Sequence, residues 1–153
     1  MELSLQSIAT NDFASKGIKL PEFDIAKVTE ATKANPTWVH FGAGNIFRGF
    51  IGRAAQQLLN QNLTTTGIVA AETFDYEIID KIYTPYDNLT LMADLNPTGD
   101  ISYEVIGSIV ETIKVNASFE EDFKRLFEIA VSPSLHMLSF TIREKGYAAP
   151  NIN

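Results

Sequence analysis

Trp38-Val39-His40-Phe41-Gly42-Ala43-Gly44-Asn45-Ile46-Phe47-Arg48-Gly49-Phe50 is the stretch that decides the fold. A short apolar strand runs into a glycine turn, and an amphipathic helix begins directly after it. The first glycine allows a sharp turn, and the second lets phosphates approach the backbone. The helix then offers unpaired N–H groups and the positive end of its dipole to an anion. This order of elements predicts a dinucleotide pyrophosphate site.

One position departs from the usual glycine spacing. A third glycine would fall at position 47, where this chain has Phe47. By spacing alone, a glycine turn that serves only packing therefore stays open as an alternative.

The flanking segments extend the stretch to a βαβ unit. We expect a strand over 37–41, then a helix to about Asn62, then a buried strand over 67–71, typical of a parallel sheet. The buried helix face is predicted by the apolar residues Phe47, Ile51, Ala54, Ala55, Leu58 and Leu59.

The rest of the chain predicts further α/β elements. We expect a helix near 23–32 stopped by Pro36, and a short helix over 74–83 broken before Pro85. Two extended runs, 89–95 and 102–110, flank a Pro/Gly turn and predict a hairpin. The remaining elements are a helix opened by a Ser118/Glu121 capping box, with Phe119, Phe123, Leu126, Phe127 and Ala130 on one face, and a last strand over 135–142.

Composition excludes several classes of protein. The chain has 153 residues, 45% hydrophobic and 20% charged, no cysteine and a net charge of −7. These values indicate a globular domain, not a nucleic-acid binder, and exclude disulfides and thiolate metal sites. No long apolar stretch or signal peptide is evident, so we expect no membrane partner and a cytoplasmic location.

Arg48 is the first candidate ligand-binding side chain. A cation in the first turn of a helix faces the positive end of the dipole, which costs a few tenths of a kcal/mol. Arg48 is therefore expected either to pair with a ligand anion or to be solvated or paired to an internal acid. Asn45 is placed to cap the same helix.

Two acids follow the second strand. A dinucleotide site keeps an acid there to bind the ribose hydroxyls, about 20 residues after the turn. Glu72 lies further along than that but is the better placed at the strand end, and Asp75 is the second candidate or caps the next helix. An acid here repels the extra phosphate of NADP, so NAD is the expected cofactor and NADP the less favoured one.

Other polar residues give a weaker signal. His40 is expected to be a buried, hydrogen-bonded core residue, and His136 lacks a neighbouring acid to orient it. No cluster has the spacing of metal ligands, so we expect no metal. The segment 144–147 follows the last strand at the edge where ligands gather, so it either lines the nicotinamide end or forms a charged turn.

Two segments resemble the mannitol dehydrogenase family of polyol-specific long-chain dehydrogenases. The first is 40–50, and the second, 139–147, is similar to the family's S-x-T-I-T-E-K-G-Y strand end. With 82–84 and 105–109 between them, the similarity extends over about 38–147. Within the family, 72–75 is most similar to D-mannonate oxidoreductases, also called fructuronate reductases. The family tolerates a bulky residue at position 47.

The resemblance implies a fold and a function. The fold is a Rossmann-like doubly wound, mostly parallel sheet with an inserted or added hairpin, incomplete relative to the full family. The function is metal-free hydride transfer between a nicotinamide cofactor and a secondary alcohol or ketone of a sugar acid or polyol. For Glu144 it implies a place near the reacting centre, and Arg143 replaces the family's usual threonine. Cofactor contact is implied for the turn residues Gly42, Ala43, Gly44, Asn45, Ile46, Phe47 and Arg48.

The expected organisation is an arm with a helix over 1–35 and a dinucleotide-binding domain over 36–153. The family's proton-transferring lysine lies in a helical second domain beyond it, so this chain alone is expected to bind NAD(H) and catalyse nothing. Three alternatives remain: a mannitol or tagaturonate/altronate-type dehydrogenase of the same family, a stand-alone non-catalytic nucleotide-binding module, and an S-adenosylmethionine-dependent methyltransferase.

Overall fold

The structure, a computed structural model, describes residues 2–10 and 12–142. This part of the chain forms α-helices and β-strands, together with short π-helical and 3₁₀ segments. The helices are α1 (Leu5–Ala9), α2 (Ile25–Ala34), α3 (Gly52–Asn60) and α4 (Glu120–Ala130). The strands are β1 (Trp38–Phe41), β2 (Ile68–Glu72), β3 (Thr90–Leu95), β4 (Ile101–Ile106), β5 (Ile109–Lys114) and β6 (Met137–Phe140).

The main sheet has four parallel strands in the order β5-β2-β1-β6. The chain winds from β1 through β2 to β5 on one side and returns to place β6 on the other. The strand order therefore reverses at β1, and a crevice opens at the carboxyl ends of β1, β2 and β6. The predicted α/β class is confirmed.

Helices cover both faces of this sheet. On one face, Ile68 and Ala70 of β2 pack in a buried cluster with Phe47 and Ala55. On the other face, Val69 and Ala71 pack in a cluster with Ile129 of α4. All five residues of β2 are buried, which explains why its sequence is a continuous apolar run rather than an alternating one.

The predicted hairpin is present, but it is shorter than the apolar pattern indicated. β3 and β4 pair antiparallel as a separate two-stranded sheet. The run over 102–110 breaks at Gly107-Ser108, and β5 then joins the parallel sheet. The break is fixed by α3, because the Gly107 N–H donates to Gln56 Oε1 at 2.8 Å and Ser108 Oγ donates to the Gly52 carbonyl at 2.6 Å.

The helix after the glycine turn buries Phe47, Ala55 and Leu59 as predicted, but its buried face is rotated relative to the predicted one. Ala54 and Leu58 are exposed, whereas Ala55, Gln56 and Leu59 are buried. The cause is a π-helical segment over Phe47–Ile51. A π turn holds more residues than an α turn, so it rotates every later side chain relative to the pattern of a regular α-helix.

The segment after β2 also differs from the prediction. A π-helical turn spans Ile79–Tyr83 and continues directly into a 3₁₀ turn over Thr84–Tyr86. Pro85 lies in the first turn of the 3₁₀ segment, where a missing N–H costs nothing. The proline therefore starts a new turn there.

Two predictions for α4 are wrong. The helix begins after Phe119, which makes no side-chain cap, so the Ser118/Glu121 capping box is absent. Leu126 of the predicted face packs partly buried against the core, but Phe123 and Phe127 are exposed and Ile129 is the residue that α4 buries. Sequence spacing alone could not choose the packed face, because apolar residues lie around much of this helix.

The N-terminal arm packs against the hairpin. Phe13 forms a buried cluster with Leu89 and Val105. Lys19 bridges to β4, since its N–H donates to the Tyr103 carbonyl and its carbonyl accepts from the Val105 N–H at 2.8 Å. α2 follows as predicted, capped by Asp24 and ending before Pro36. Within residues 2–10 and 12–142, no helix is long and apolar enough to cross a membrane.

Candidate functional site

A cleft of about 1370 Å³ opens at the carboxyl ends of β1, β2 and β6. This is the position at which open α/β sheets bind ligands. Most of the predicted turn residues and both predicted acids reach it. The lining residues are Phe41, Gly42, Gly44, Asn45, Ile46, Phe47, Glu72, Thr73, Phe74, Asp75, Ile78, Phe140, Thr141 and Ile142.

The two glycines of the turn have different structural roles. Gly42 has a φ of 108°, and a Cβ there would lie 2.5 Å from Thr141 Oγ1. Glycine is therefore required at this position by both conformation and space. At Gly44, a Cβ would meet nothing within 4 Å. The chain thus leaves open space beside Gly44, on the cleft, as the pyrophosphate hypothesis requires.

Ala43 is the buried residue between these glycines. Its N–H donates to Glu72 Oε2 at 2.8 Å, and its carbonyl accepts from the Tyr83 hydroxyl at 2.9 Å. Burial raises the pKa of Tyr83, so this hydroxyl keeps its proton and remains a donor. The backbone of the turn is therefore held by hydrogen bonds to the side chains of Glu72 and Tyr83, which are distant from it in sequence.

Phe47 occupies the position of the missing third glycine. Its buried ring stacks on the imidazole of His40, with ring centroids 4.1 Å apart and planes within 2°. A bulky residue fits because the preceding strand supplies a flat partner for it. The departure from the glycine motif is therefore part of the core, and Phe47 also borders the cleft.

Asn45 and Ile46 begin the helix at the mouth of the cleft. Both are exposed, and Ile46 is 72% exposed. The first N–H groups of a helix lack intrahelical acceptors, so this end can receive an anion.

Arg48 lies to one side of this helix end. Its guanidinium donates to Asn45 Oδ1 and stands over the Tyr83 ring, 5.8 Å from the centroid. Its buried Nε has no hydrogen-bond partner among the described residues. Pairing of Arg48 with a ligand anion stays a prediction.

Glu72 has a different environment from the one expected for a ribose-binding acid. The side chain is buried, and its Oε1 accepts from the N–H groups of Thr73, Phe74 and Asp75 at 3.0–3.2 Å. With the Ala43 N–H, four backbone donors converge on this carboxylate. Its charge is compensated within the protein, so Glu72 fixes the backbone around the cleft.

Asp75 and Phe74 project from the backbone that Glu72 holds. Asp75 is exposed, and the Phe74 side chain is 92% exposed although it lines the cleft. Of the two predicted acids, Asp75 is thus the one with a carboxylate available to a ligand.

The opposite wall of the cleft is formed by β6. Behind this wall, the neighbouring strand β1 carries His40, which is buried as predicted and hydrogen-bonded to Ser139 Oγ and Thr141 Oγ1. Burial lowers the pKa of His40 from 6.5 to about 4. Phe41 and Phe140 stack with centroids 5.0 Å apart and give this wall an apolar part.

Sequence reasoning missed several of these residues as parts of the site. Tyr83, Phe74 and Thr141 lie in segments that resemble the family, but none of them was assigned a role in the site. For Thr141 a signal existed, because Ser139 and Thr141 alternate on one face of an otherwise apolar strand. His136, at the other end of β6, lies outside the cleft, and the predicted segment 144–147, with Glu144 and the neighbouring Arg143, lies outside the described residues.

No known family model matches the sequence. The chain is 47% identical over 131 residues to a D-mannonate oxidoreductase from Thermotoga maritima, covering 86% of this chain and 24% of the relative. The chain therefore spans about a quarter of the length of that curated relative.

Two solved structures share the fold. D-sorbitol dehydrogenase in substrate-free form superimposes with a TM-score of 0.74 and 23% identity, over 96% of this chain and 28% of that one. The ternary complex of Pseudomonas fluorescens mannitol 2-dehydrogenase with NAD and D-mannitol superimposes with a TM-score of 0.72 and 23% identity. This match covers 93% of this chain and 27% of that one.

The parallel sheet, its reversal at β1 and the glycine turn define a Rossmann-like α/β domain. The chain shares this fold with the two polyol dehydrogenases and is similar in sequence to part of a D-mannonate oxidoreductase. These similarities support an N-terminal domain of the mannitol dehydrogenase family.

Proposed function

We propose that this chain is the NAD-binding domain of a dehydrogenase that transfers hydride between the nicotinamide and a secondary alcohol or ketone. The observation that carries the proposal is the open space beside Gly44 at the first turn of a helix, within the cleft at the carboxyl ends of β1, β2 and β6. The backbone N–H groups of this turn would hold the pyrophosphate.

The relative's name favours a sugar acid of the D-mannonate type as substrate of the whole protein. The mannitol 2-dehydrogenase complex with NAD and D-mannitol supports the same cofactor and reaction class. We place the acid/base group for this reaction outside the dinucleotide-binding part, so the present chain alone is expected to be inactive. We expect the protein to act in the cytoplasm.

The preference for NAD over NADP rests on Asp75. This exposed carboxylate stands on the β2 side of the cleft, where the adenosine ribose lies in dinucleotide folds. A carboxylate accepts from the ribose hydroxyls and repels a 2′-phosphate. The neighbouring Phe74 ring offers an exposed face on which the adenine can stack.

Gly44→Ala tests the proposal. A methyl group at this position contacts nothing in the protein, so the free energy of unfolding should change by less than about 1 kcal/mol. The same methyl would stand where the phosphates approach, so NADH affinity in a fluorescence titration should fall at least about tenfold, or roughly 1.4 kcal/mol.

The matched control is Gln57→Ala, on the exposed face of α3 outside the cleft, which should bind NADH as the unmodified chain does. Unchanged binding by Gly44→Ala would reject the pyrophosphate site. Titration with S-adenosylmethionine in parallel distinguishes the methyltransferase alternative, which requires tight binding of that ligand and none of NADH.

A further inference from the structure

Four polar side chains form a continuous hydrogen-bonded row between β1 and β6. The two strands run parallel with His40 opposite Ser139. Trp38 Nε1 lies 2.7 Å from Ser139 Oγ, Ser139 Oγ lies 2.8 Å from His40 Nδ1, and His40 Nε2 lies 3.0 Å from Thr141 Oγ1. The row starts in the sheet and ends at the cleft, which Thr141 lines.

The chemistry of the first member gives the row a direction. An indole N–H can only donate, so Ser139 Oγ accepts from Trp38. The Ser139 hydroxyl then has one proton to donate, and among the described residues its remaining partner is His40 Nδ1. Nδ1 therefore accepts.

The imidazole passes this direction on. Burial lowers the pKa of His40 to about 4, so the ring is neutral near pH 7 and carries one proton. With Nδ1 as the acceptor, that proton is on Nε2 and is donated to Thr141 Oγ1. The reverse tautomer would leave the Ser139 proton without an acceptor among the described residues, which is unfavourable for a half-buried hydroxyl.

Thr141 ends the row, and its own hydroxyl proton has no recorded acceptor among the described residues. Its Oγ1 accepts from His40, and it stands directly beside the glycine turn, 2.5 Å from the position of a Cβ on Gly42. The backbone holds it there, because the Thr141 N–H donates to the Phe41 carbonyl at 3.0 Å. The free hydroxyl proton is thus presented to the cleft.

The position of Thr141 decides which part of the ligand it meets. In a dinucleotide fold the adenosine half lies on the β2 side and the pyrophosphate over the turn after β1. The other half then extends over β6, where Thr141 stands beside the stacked Phe41 and Phe140. These rings give the nicotinamide half an apolar surface next to a hydroxyl donor.

We propose that His40 is a positioning residue that sets Thr141 as a hydroxyl donor to an oxygen of the nicotinamide half of the cofactor. This inference rests on the proposed function, since it needs a dinucleotide in the cleft.

The binding test uses this chain with NADH and ADP as probes. Thr141→Val removes the hydroxyl at nearly constant shape and should weaken NADH binding about five- to tenfold, the loss of one hydrogen bond. ADP, which lacks the nicotinamide half, should bind within about twofold of the unmodified chain. Thr141→Ser restores the hydroxyl and should restore most of the NADH affinity.

A second measurement needs no variant. Nitrogen-15 NMR of the unmodified chain near pH 7 reports which ring nitrogen of His40 carries the proton, and Nε2 is expected. Protonated Nδ1 would overturn the assigned direction of the row.

The outcomes separate the two claims. If the unmodified chain binds neither NADH nor ADP, the proposed function fails and this inference with it. If it binds both, then unchanged NADH affinity in Thr141→Val, or an equal loss for ADP, overturns this inference alone.

Discussion

The two walls of the cleft hold the same glycine turn by different means. On the β2 wall, the charged carboxylate of Glu72 accepts four backbone N–H groups, including that of Ala43. On the β6 wall the contact is made by a neutral side chain. Thr141 Oγ1 packs against Gly42, and the same oxygen accepts a hydrogen bond from His40.

The two walls therefore differ in whether their polar side chain is used by the backbone or remains available to a ligand. The Glu72 charge is satisfied by the backbone, so its removal should act mainly on stability. The Thr141 hydroxyl keeps a proton for the cleft, so its removal should act mainly on binding. Each prediction below tests one side of this comparison.

The largest effect is expected on the β2 wall from Glu72→Ala. This change leaves four backbone N–H groups without their acceptor, and we expect a loss of about 3 kcal/mol or more in the free energy of unfolding. Urea denaturation measures it. The control is Asp75→Ala, a neighbouring exposed acid, with an expected change below about 0.5 kcal/mol. Equal losses in the two variants would contradict the role given to Glu72.

The second prediction concerns pH and the β6 wall. Because burial lowers the pKa of His40 from 6.5 to about 4, the unfolded chain binds a proton in this range that the folded chain does not. Stability should therefore fall as the pH drops from about 6.5 to 4, by at most roughly 3 kcal/mol. Urea titrations at several pH values measure the slope.

His40→Gln removes this titration and should flatten the slope between pH 6.5 and 4. His136→Gln, at the other end of β6, is the matched histidine variant for comparison. A parallel slope in His40→Gln and the unmodified chain would mean that other groups cause the pH dependence.

A smaller effect is expected where the β6 wall meets the turn. Gly42→Ala puts a methyl group 2.5 Å from Thr141 Oγ1 at a φ of 108°, and the cost should be about 2 kcal/mol. Combining it with Thr141→Ala removes the contact but not the backbone strain, so the double variant should recover part of the loss. Strict additivity in this cycle, measured by urea denaturation, would show that the two residues do not interact.

The smallest effect concerns selectivity on the β2 wall. Asp75→Ser removes the exposed carboxylate and should raise NADPH affinity relative to NADH about three- to tenfold, an electrostatic change of about 1 kcal/mol. Parallel fluorescence titrations measure the ratio, with Glu77→Ser as an exposed acid outside the cleft for comparison. An unchanged ratio would remove Asp75 from cofactor recognition.

The sequence was sufficient to predict β1, the glycine turn and β2, because their signals are local. A strand, a turn and a helix follow one another within residues 38–60, and the apolar run of β2 reflects burial on both faces. The buried, hydrogen-bonded state of His40 was also predicted.

What escaped prediction depends on contacts between distant residues. The π turn at Phe47–Ile51 moved the buried face of α3, and sequence periodicity assumes a regular helix. Likewise, the hydrogen bond from the Ala43 N–H to Glu72 joins residues 29 positions apart and could not be inferred from the sequence. The stacking of the Phe47 ring on His40 explains why this position holds a bulky residue in place of the motif's third glycine.

The packing of the N-terminal arm has a consequence for the order of synthesis. Phe13 is synthesised about 75 to 90 residues before its partners Leu89 and Val105. At about 5–20 residues per second, the apolar side of the arm stays uncovered for roughly 4 to 18 seconds. The contacts of Phe13 with Leu89 and Val105 can therefore form only late in the synthesis of this segment.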